Sequence, residues 1–255
     1  MSLAALALVL FAGLAVGMTS IGGVLLVPVL SAVDGVPIAR AVPAAVFAFL
    51  LTGAASAGQY LWMQRRALAQ GRPPTGAPRA AILALQAGTL LGAAAGALSL
   101  RWVPVVALHL ALAAMALGSG AQALFVRAPA DAGTPPPPAA LAAIGLAVGL
   151  GSAWTGTGGP ILLLPILLAL ATPLRAAIAM ALAVQIPIAG AASAVNWWAG
   201  QLDLRLGLLL AAPLIGGWAI GLAIASRMST ARLRQALGLL LMATGLWYGV
   251  HILTH

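Results

Sequence analysis

Charged residues divide the chain into long apolar runs: residues 1–33, 41–64, 80–100, 102–126, 132–174, 176–202, 206–226 and 235–255 carry none. About 20 apolar residues cross a bilayer as a helix. Six of the runs, at 21 to 27 residues, therefore predict one crossing each. The first and fifth do not fit. Residues 1–33, and 139–174 once the proline tract ending at Pro138 is set aside, predict about one and a half crossings each. Both contain an interruption of hydroxyl residues followed by paired glycines: "TSIGGVLLVP" at 19–28 and "TGTGGPILLLP" at 155–165.

The same pattern occurs twice along the chain. "GLAVG" stands at 13–17 and 145–149, the paired glycines at Gly22-Gly23 and Gly158-Gly159, and "GAAS" at 53–56 and 190–193. The offsets are 132, 136 and 137, with extra residues including "SAWT" enlarging the second interruption. Three markers in one order at a nearly constant offset indicate an internal duplication. Its halves are a first membrane repeat at 1–126 and a second at 139–255. A proline-rich connector, semi-rigid by composition, joins them at 127–138.

Composition narrows the class. The chain is 63% hydrophobic and 6% charged, with a mean hydropathy of +1.10, whereas soluble domains carry roughly 25% charged residues. This is the composition of an integral membrane protein. Its net charge of +9 comes from 12 Arg against Asp34, Asp131 and Asp203, with no Lys or Glu. The arginines are scattered through the loops and form no single face, so nucleic acid is not an expected partner. The absence of cysteine excludes disulfides, thiolate metal sites and cysteine catalysis. The first 33 residues carry no positive n-region and read as folded structure, not as a signal peptide.

Arginine placement separates two topologies. If every run crosses once, six arginines fall on each side and no orientation follows. If both long runs are hairpins that enter and leave by one face, Arg65, Arg66, Arg72, Arg79, Arg127, Arg175, Arg227, Arg232 and Arg234 lie opposite Arg40, Arg101 and Arg205. That nine-to-three bias is what the positive-inside rule expects. The hairpin topology also leaves three full crossings per repeat, an odd number that inverts one repeat relative to the other. The predicted fold is an all-α integral membrane protein of two inverted repeats, each a broken, re-entrant helix hairpin plus three transmembrane helices. Its predicted place is the inner (plasma) membrane with both termini extracytoplasmic. Inverted repeats with broken helices are a transporter architecture.

Backbone without helical hydrogen bonds is tolerated at membrane depth only where protein or a wet cavity satisfies it. Gly22, Gly23, Gly158 and Gly159 let the chain turn and let a ligand approach the backbone. The short apolar helices expected after them, the second with Pro160 at a first helical position, present free N–H groups that attract anions. Thr19, Ser20, Thr155 and Thr157 add hydroxyls, and no carboxylate lies nearby. Small residues in membrane helices also serve close packing. Duplication, excess length and the hydroxyls together point instead to a site for a small anion.

These residues resemble the sulfite exporter TauE/SafE family. The resemblance rests on a glycine-rich break ending in proline in each of two membrane repeats, and on "GVP" at 35–37 and "ATP" at 171–173 after the hairpins. Where the family often has three consecutive glycines, this chain has Val24 and Pro160 after the pairs. The resemblance implies transport of a sulfur-containing anion such as sulfite, a sulfonate, sulfoacetate or thiosulfate. The leading function is a secondary exporter or facilitator for such an oxyanion, bound between the two breaks at the midplane. The alternatives are an anion channel and a proton-coupled carrier of an organic anion. A membrane enzyme is disfavoured because no acid, base or metal-ligand cluster is present; no cofactor and no metal are expected.

Other polar residues widen the candidate site. Gln59 and Asn196 hold equivalent places in "GAASAGQY" and "GAASAVNW", where paired amides either hydrogen-bond an oxyanion or tie helices together. Gln185 is a mid-span amide whose aligned partner is Ala48. Trp154 either closes over a ligand or packs. His109 lies within a run and is either a proton relay or a neutral hydrogen-bonding residue. Trp102, Trp197, Trp198, Trp247 and Tyr248 stand near run ends, as interfacial belt residues do. Expected partners are a small anionic substrate and the lipid bilayer, with a homodimer compatible with the sequence.

Overall fold

In hydrocarbon every backbone N–H and C=O must find a partner within the protein, and a chain this apolar meets that demand by forming helices. The computed structural model describes residues 2–19, 25–69, 78–125, 136–170 and 174–225, with isolated positions at 172, 227 and between 235 and 246. Among these residues there is no strand. The helices are α1 (Leu3–Thr19), α2 (Leu26–Val33), α3 (Ile38–Ala69), α4 (Arg79–Ser99), α5 (Val105–Phe125), α6 (Pro138–Thr155), α7 (Pro160–Ala169), α8 (Leu174–Trp198) and α9 (Leu204–Ala225), with a 3₁₀ turn at Leu100–Trp102. Among the described residues five stretches are long and apolar enough to cross a membrane: Ile38–Gln59, Arg79–Trp102, Pro138–Thr155, Met180–Trp198 and Leu204–Ile224.

Each overlong run of the sequence thus forms a longer helix and a shorter one, α1 with α2 and α6 with α7. The residues "SAWT" sit in the last turn of α6, so they lengthen the helix and do not enlarge the interruption. The connector at 127–138 lies outside the described residues except for its last three positions. Most of the final run does too, although Met242, Gly238 and Gly245 lie against Gly120, Leu124 and Leu117 of α5.

Two helix pairs dominate the packing: α4 with α6 and α1 with α9. Both are held by glycine. A β-carbon on Gly13 or Gly17 of α1 would land on the carbonyl of Leu214 or Trp218 in α9, and one on Gly217 or Gly221 would land on Leu10 or Leu14. In the other pair, Gly88, Gly92 and Gly96 of α4 face the carbonyls of Ala142, Leu146 and Leu150, while Gly145 and Gly149 face those of Leu85 and Thr89. Contacts advance together along both partners, so each pair runs parallel. The "GLAVG" copies supply one strip of each pair, the spacing by which small residues let membrane helices approach to backbone contact.

On α4 the buried face is mostly small residues, with Leu85 the large exception, and the other leucines face outward. In α4, Gly88, Gly92, Ala93, Gly96 and Ala97 are buried, whereas Leu83, Leu90, Leu91 and Leu98 are exposed. That distribution suits a solvent of acyl chains. Prolines inside α3, α8 and α9 (Pro43, Pro187, Pro213) each delete one helical N–H. In α8 the carbonyl released by Pro187 belongs to Ala183, and Gln86 of α4 donates its side-chain N–H to it at 3.1 Å. A proline kink is thereby capped from a neighbouring helix.

Two polar ties fix the helix ends. Ser2 donates its hydroxyl to Asp34 at 2.6 Å and its backbone N–H to both carboxylate oxygens at 3.2 Å, which brings the start of α1 beside the end of α2. The Ser2 hydroxyl holds the Asp34 carboxyl below its ordinary pKa. Arg40 near the start of α3 pairs with Asp203 before α9 at 2.6 Å. The glycine surfaces give a direct test: Gly217→Ala should lower stability by about 1–3 kcal/mol through overpacking. Gly216→Ala, one residue away with nothing within 4 Å of its new β-carbon, should be neutral or gain up to about 1 kcal/mol in helix propensity. Thermal unfolding in detergent measures both, and equal midpoints would contradict the packing.

Candidate functional site

A helix that ends inside the protein leaves its last carbonyls and the next helix's first amides without partners. At the second break the chain handles these two sets differently. Gly156, in the left-handed region at φ 68, caps α6 and donates its N–H to Ser152 O; Thr157 donates to the same oxygen at 3.4 Å. Gly158 (φ 79) and Gly159 (φ 101) continue in backbone that side chains with a β-carbon rarely adopt. Pro160 then opens α7 without an N–H to lose, and Leu162 and Leu163 both donate to Gly159 O at 3.1 Å. The amides of Gly158, Gly159 and Ile161 donate to no described residue.

These three N–H groups stand where the positive end of the α7 dipole lies. All residues from Thr155 to Ile161 are buried. Gly158 faces Phe49 of α3, Gly159 faces Ile188 and Val184 of α8, and Gly156 faces Val27 of α2. Phe49 is eleven residues into α3, about 16 Å along its axis, close to half of a ~30 Å hydrocarbon core. The break is a buried turn with apolar side chains of α2, α3 and α8 around it, level with the middle of the candidate span Ile38–Gln59, and its backbone donors lie beside the Thr155 and Thr157 hydroxyls. An unmade hydrogen bond on a buried amide costs roughly 1–3 kcal/mol, which a bound oxyanion removes.

The hydroxyls read from the sequence are present but committed. Thr155 donates its hydroxyl to Gly151 O at 2.7 Å. Thr157 lies 3.1 Å from the Thr155 oxygen and is its donor, since the Thr155 proton is already placed. Both are buried. Ser152, one turn earlier and completely buried, has no partner for its hydroxyl; it is a polar group the sequence pattern did not single out. Trp154 belongs to α6 and donates its indole N–H to Ser99 of α4 at 2.9 Å, a tie between helices.

The first break is less open to description. Thr19 ends α1, while its side chain and the residues Ser20, Gly22 and Gly23 lie outside the described residues. The two equivalent amides are not brought together. Asn196 is fully buried near the end of α8, beneath the turn before Asp203, with neither its Nδ2 nor its Oδ1 partnered. Gln59 is half-buried and lies 21 residues along α3 from Ile38, about 31 Å from the α3 end that carries Arg40. Gln185 is buried against Gly53 of α3, whose missing side chain makes room for it. His109 sits four residues into α5, about 6 Å from its start, half-buried. Among the described residues no cluster of His, Cys, Asp or Glu could hold a metal ion.

The comparisons bear on the second half of the chain most strongly. The family described as Sulfite exporter TauE/SafE matches residues 66–248, a range that takes in α6, the second break, α7 and Asn196 and leaves α1, α2 and the first break outside it. No curated protein and no solved structure matches. With the match covering well over half of a chain whose helices suit a bilayer, the protein belongs to the sulfite exporter TauE/SafE family.

Proposed function

We propose that this protein is a secondary transporter, in the export direction, for a small sulfur-containing oxyanion such as sulfite, sulfoacetate or another sulfonate. The observation that carries this reading is the set of unpaired amides of Gly158, Gly159 and Ile161 at the buried start of α7. In the proposed bound state they donate to the oxyanion while the α7 dipole offsets its charge. In this reading Gly22 and Gly23, which lie outside the described residues, supply the matching half of the site in the first repeat. A backbone site suits a sulfite or sulfonate head group, whose oxygens accept several hydrogen bonds at once.

The two halves are read as inverted repeats with re-entrant hairpins. Three observations support this. Ser2 bonded to Asp34 closes the first hairpin at one end. Arg40 bonded to Asp203 sets the starts of α3 and α9 side by side, in keeping with the nine-to-three arginine distribution. The parallel pairs α1–α9 and α4–α6 each join the first helix of one repeat to the fourth helix of the other. In this conformation the break is packed against Phe49 and Ile188, which corresponds to an occluded state. Alternating access then requires the hairpins to shift against α3 and α8.

Direction follows from charge. A negative interior drives a monovalent anion outward by about 2.3 kcal/mol per 100 mV, so export needs no proton relay. In proteoliposomes, sulfite efflux should rise with an inside-negative potassium–valinomycin potential and proceed without a pH gradient. Efflux that depends on a pH gradient and disappears in His109→Ala would assign His109 as the relay instead.

The site itself is tested by Gly159→Ala, whose β-carbon would meet Ile188 at 2.5 Å and whose φ is left-handed. It should cut efflux tenfold or more, on the order of one lost charge-assisted contact, while the protein still reaches the membrane. Wild-type efflux in this variant would remove the break from the mechanism. Topology is tested by single cysteines in this cysteine-free chain: Ala199→Cys should react with an impermeant reagent from outside, and Thr75→Cys only after permeabilisation. The opposite pattern reverses the proposed orientation.

A further inference from the structure

Away from the break, the starts of α3 and α9 and the ends of α4 and α8 border an open cavity of about 570 Å³, lined by Arg40, Arg101, Gly200, Gln201, Leu202 and Asp203 among others. A smaller one, about 270 Å³, adjoins it through Arg101 and Gln201 and adds Leu98 and Trp198. Two guanidiniums and one carboxylate leave this mouth with one net positive charge. Asp203 is committed to Arg40 at 2.6 Å and to the Leu206 N–H at 3.0 Å, and those bonds hold its carboxyl below the ordinary value. Arg101 has no carboxylate partner among the described residues. Its guanidinium lies over the Trp102 ring, 4.3 Å from the centroid, and stacking on a ring face leaves the N–H edge free to bind. Of the chain's other carboxylates, Asp34 is held by Ser2 and Asp131 lies outside the described residues.

The turn behind the cavity is itself short of partners. Gln201 has an unpartnered, buried Oε1, and the amides of Gln201 and Leu202 both donate to Asn196 O at 2.8 and 3.1 Å. Asn196 is the next polar group inward along α8, fully buried and with both side-chain atoms unpaired. The cavity has room for an anion with its first waters, each of which takes ~30 Å³.

We propose that this mouth is a second oxyanion site, distinct from the break, where Arg101 and the outer edge of Arg40 hold a hydrated sulfur oxyanion, and that the unpaired amide of Asn196 is its next contact inward. The site is a station on the transport route and so rests on the reading above, but its binding is measurable without transport. The chemistry it recognises, a small oxyanion, is shared by a free sulfur anion and a lipid phosphate head group.

Binding of radiolabelled sulfite to the purified protein in neutral phosphatidylcholine nanodiscs tests the site, with Gly159→Ala as background so that the break does not contribute. On that background Arg101→Gln should weaken binding about tenfold. Asp203→Asn, which frees Arg40 from its carboxylate, should tighten it severalfold. A merely structural Arg40–Asp203 pair predicts no tightening, and that result overturns the proposal. In the wild-type background Arg101→Gln should raise KM for efflux and leave the maximal rate nearly unchanged; a loss confined to the maximal rate also contradicts the mouth as a capture site. If Arg101→Gln leaves sulfite binding intact and instead releases co-purified phosphatidylglycerol, the mouth is a head-group site and the sulfur-anion assignment fails. Intact binding at the mouth combined with normal efflux in Gly159→Ala would overturn the break site alone.

Discussion

Inside a bilayer the lipid tails are as apolar as leucine, so helices gain little from hiding hydrophobic surface and must adhere by contact. In this protein that contact is backbone to backbone. Glycines at 13, 17, 217 and 221 bring α1 onto α9, and those at 88, 92, 96, 145 and 149 bring α4 onto α6. Every other feature follows from these two tight pairs. Each pair ties the longer helix of an overlong run to a helix of membrane-spanning length, and α3 and α8 pack against each other and against these pairs. The second break is thereby buried against Phe49 of α3 and Ile188 of α8.

The two uses of glycine in this chain are physically different. In the helix pairs the residue is needed for the space its missing β-carbon leaves, with ordinary helical angles. At Gly156, Gly158 and Gly159 it is needed for its backbone angles, all with positive φ. The first use removes unsatisfied surface by close packing. The second creates unsatisfied donors, because three amides at the start of α7 have no acceptor among the described residues. A buried group left unpaired is destabilising unless something else pairs with it, and an oxyanion is the partner whose charge also suits the helix dipole.

Much of the fold was legible because charge is so scarce. Twelve arginines and three aspartates punctuate the sequence, and the runs between them, apart from the final one, which lies mostly outside the described residues, become the observed helices. The second break was legible too: the glycine pair and Pro160 fall where α6 gives way to α7. What the sequence hid was pairing in space. "GLAVG" announced a duplication, but nothing in it named α9 and α6's partner α4 as the surfaces it would meet. The extra residues "SAWT" read as an enlargement of the second interruption, because the offset between the repeat markers grows from 132 to 136 across them; they instead continue the helix to Thr155. Equivalent positions suggested that Gln59 and Asn196 act together, yet antiparallel central helices carry them to opposite ends. Gln86 had a signal that went unused, since Pro187 necessarily frees the carbonyl four residues before it.

The central claim is that a sulfur oxyanion is held by the backbone amides that open α7. Selenite, a heavier analogue of sulfite, makes this directly observable through its anomalous scattering in crystals soaked with the anion. A selenium peak should appear with its oxygens within about 3 Å of the Gly158, Gly159 and Ile161 nitrogens. A protein that transports selenite yet shows no peak there, with selenium found only elsewhere along the chain, would contradict the account.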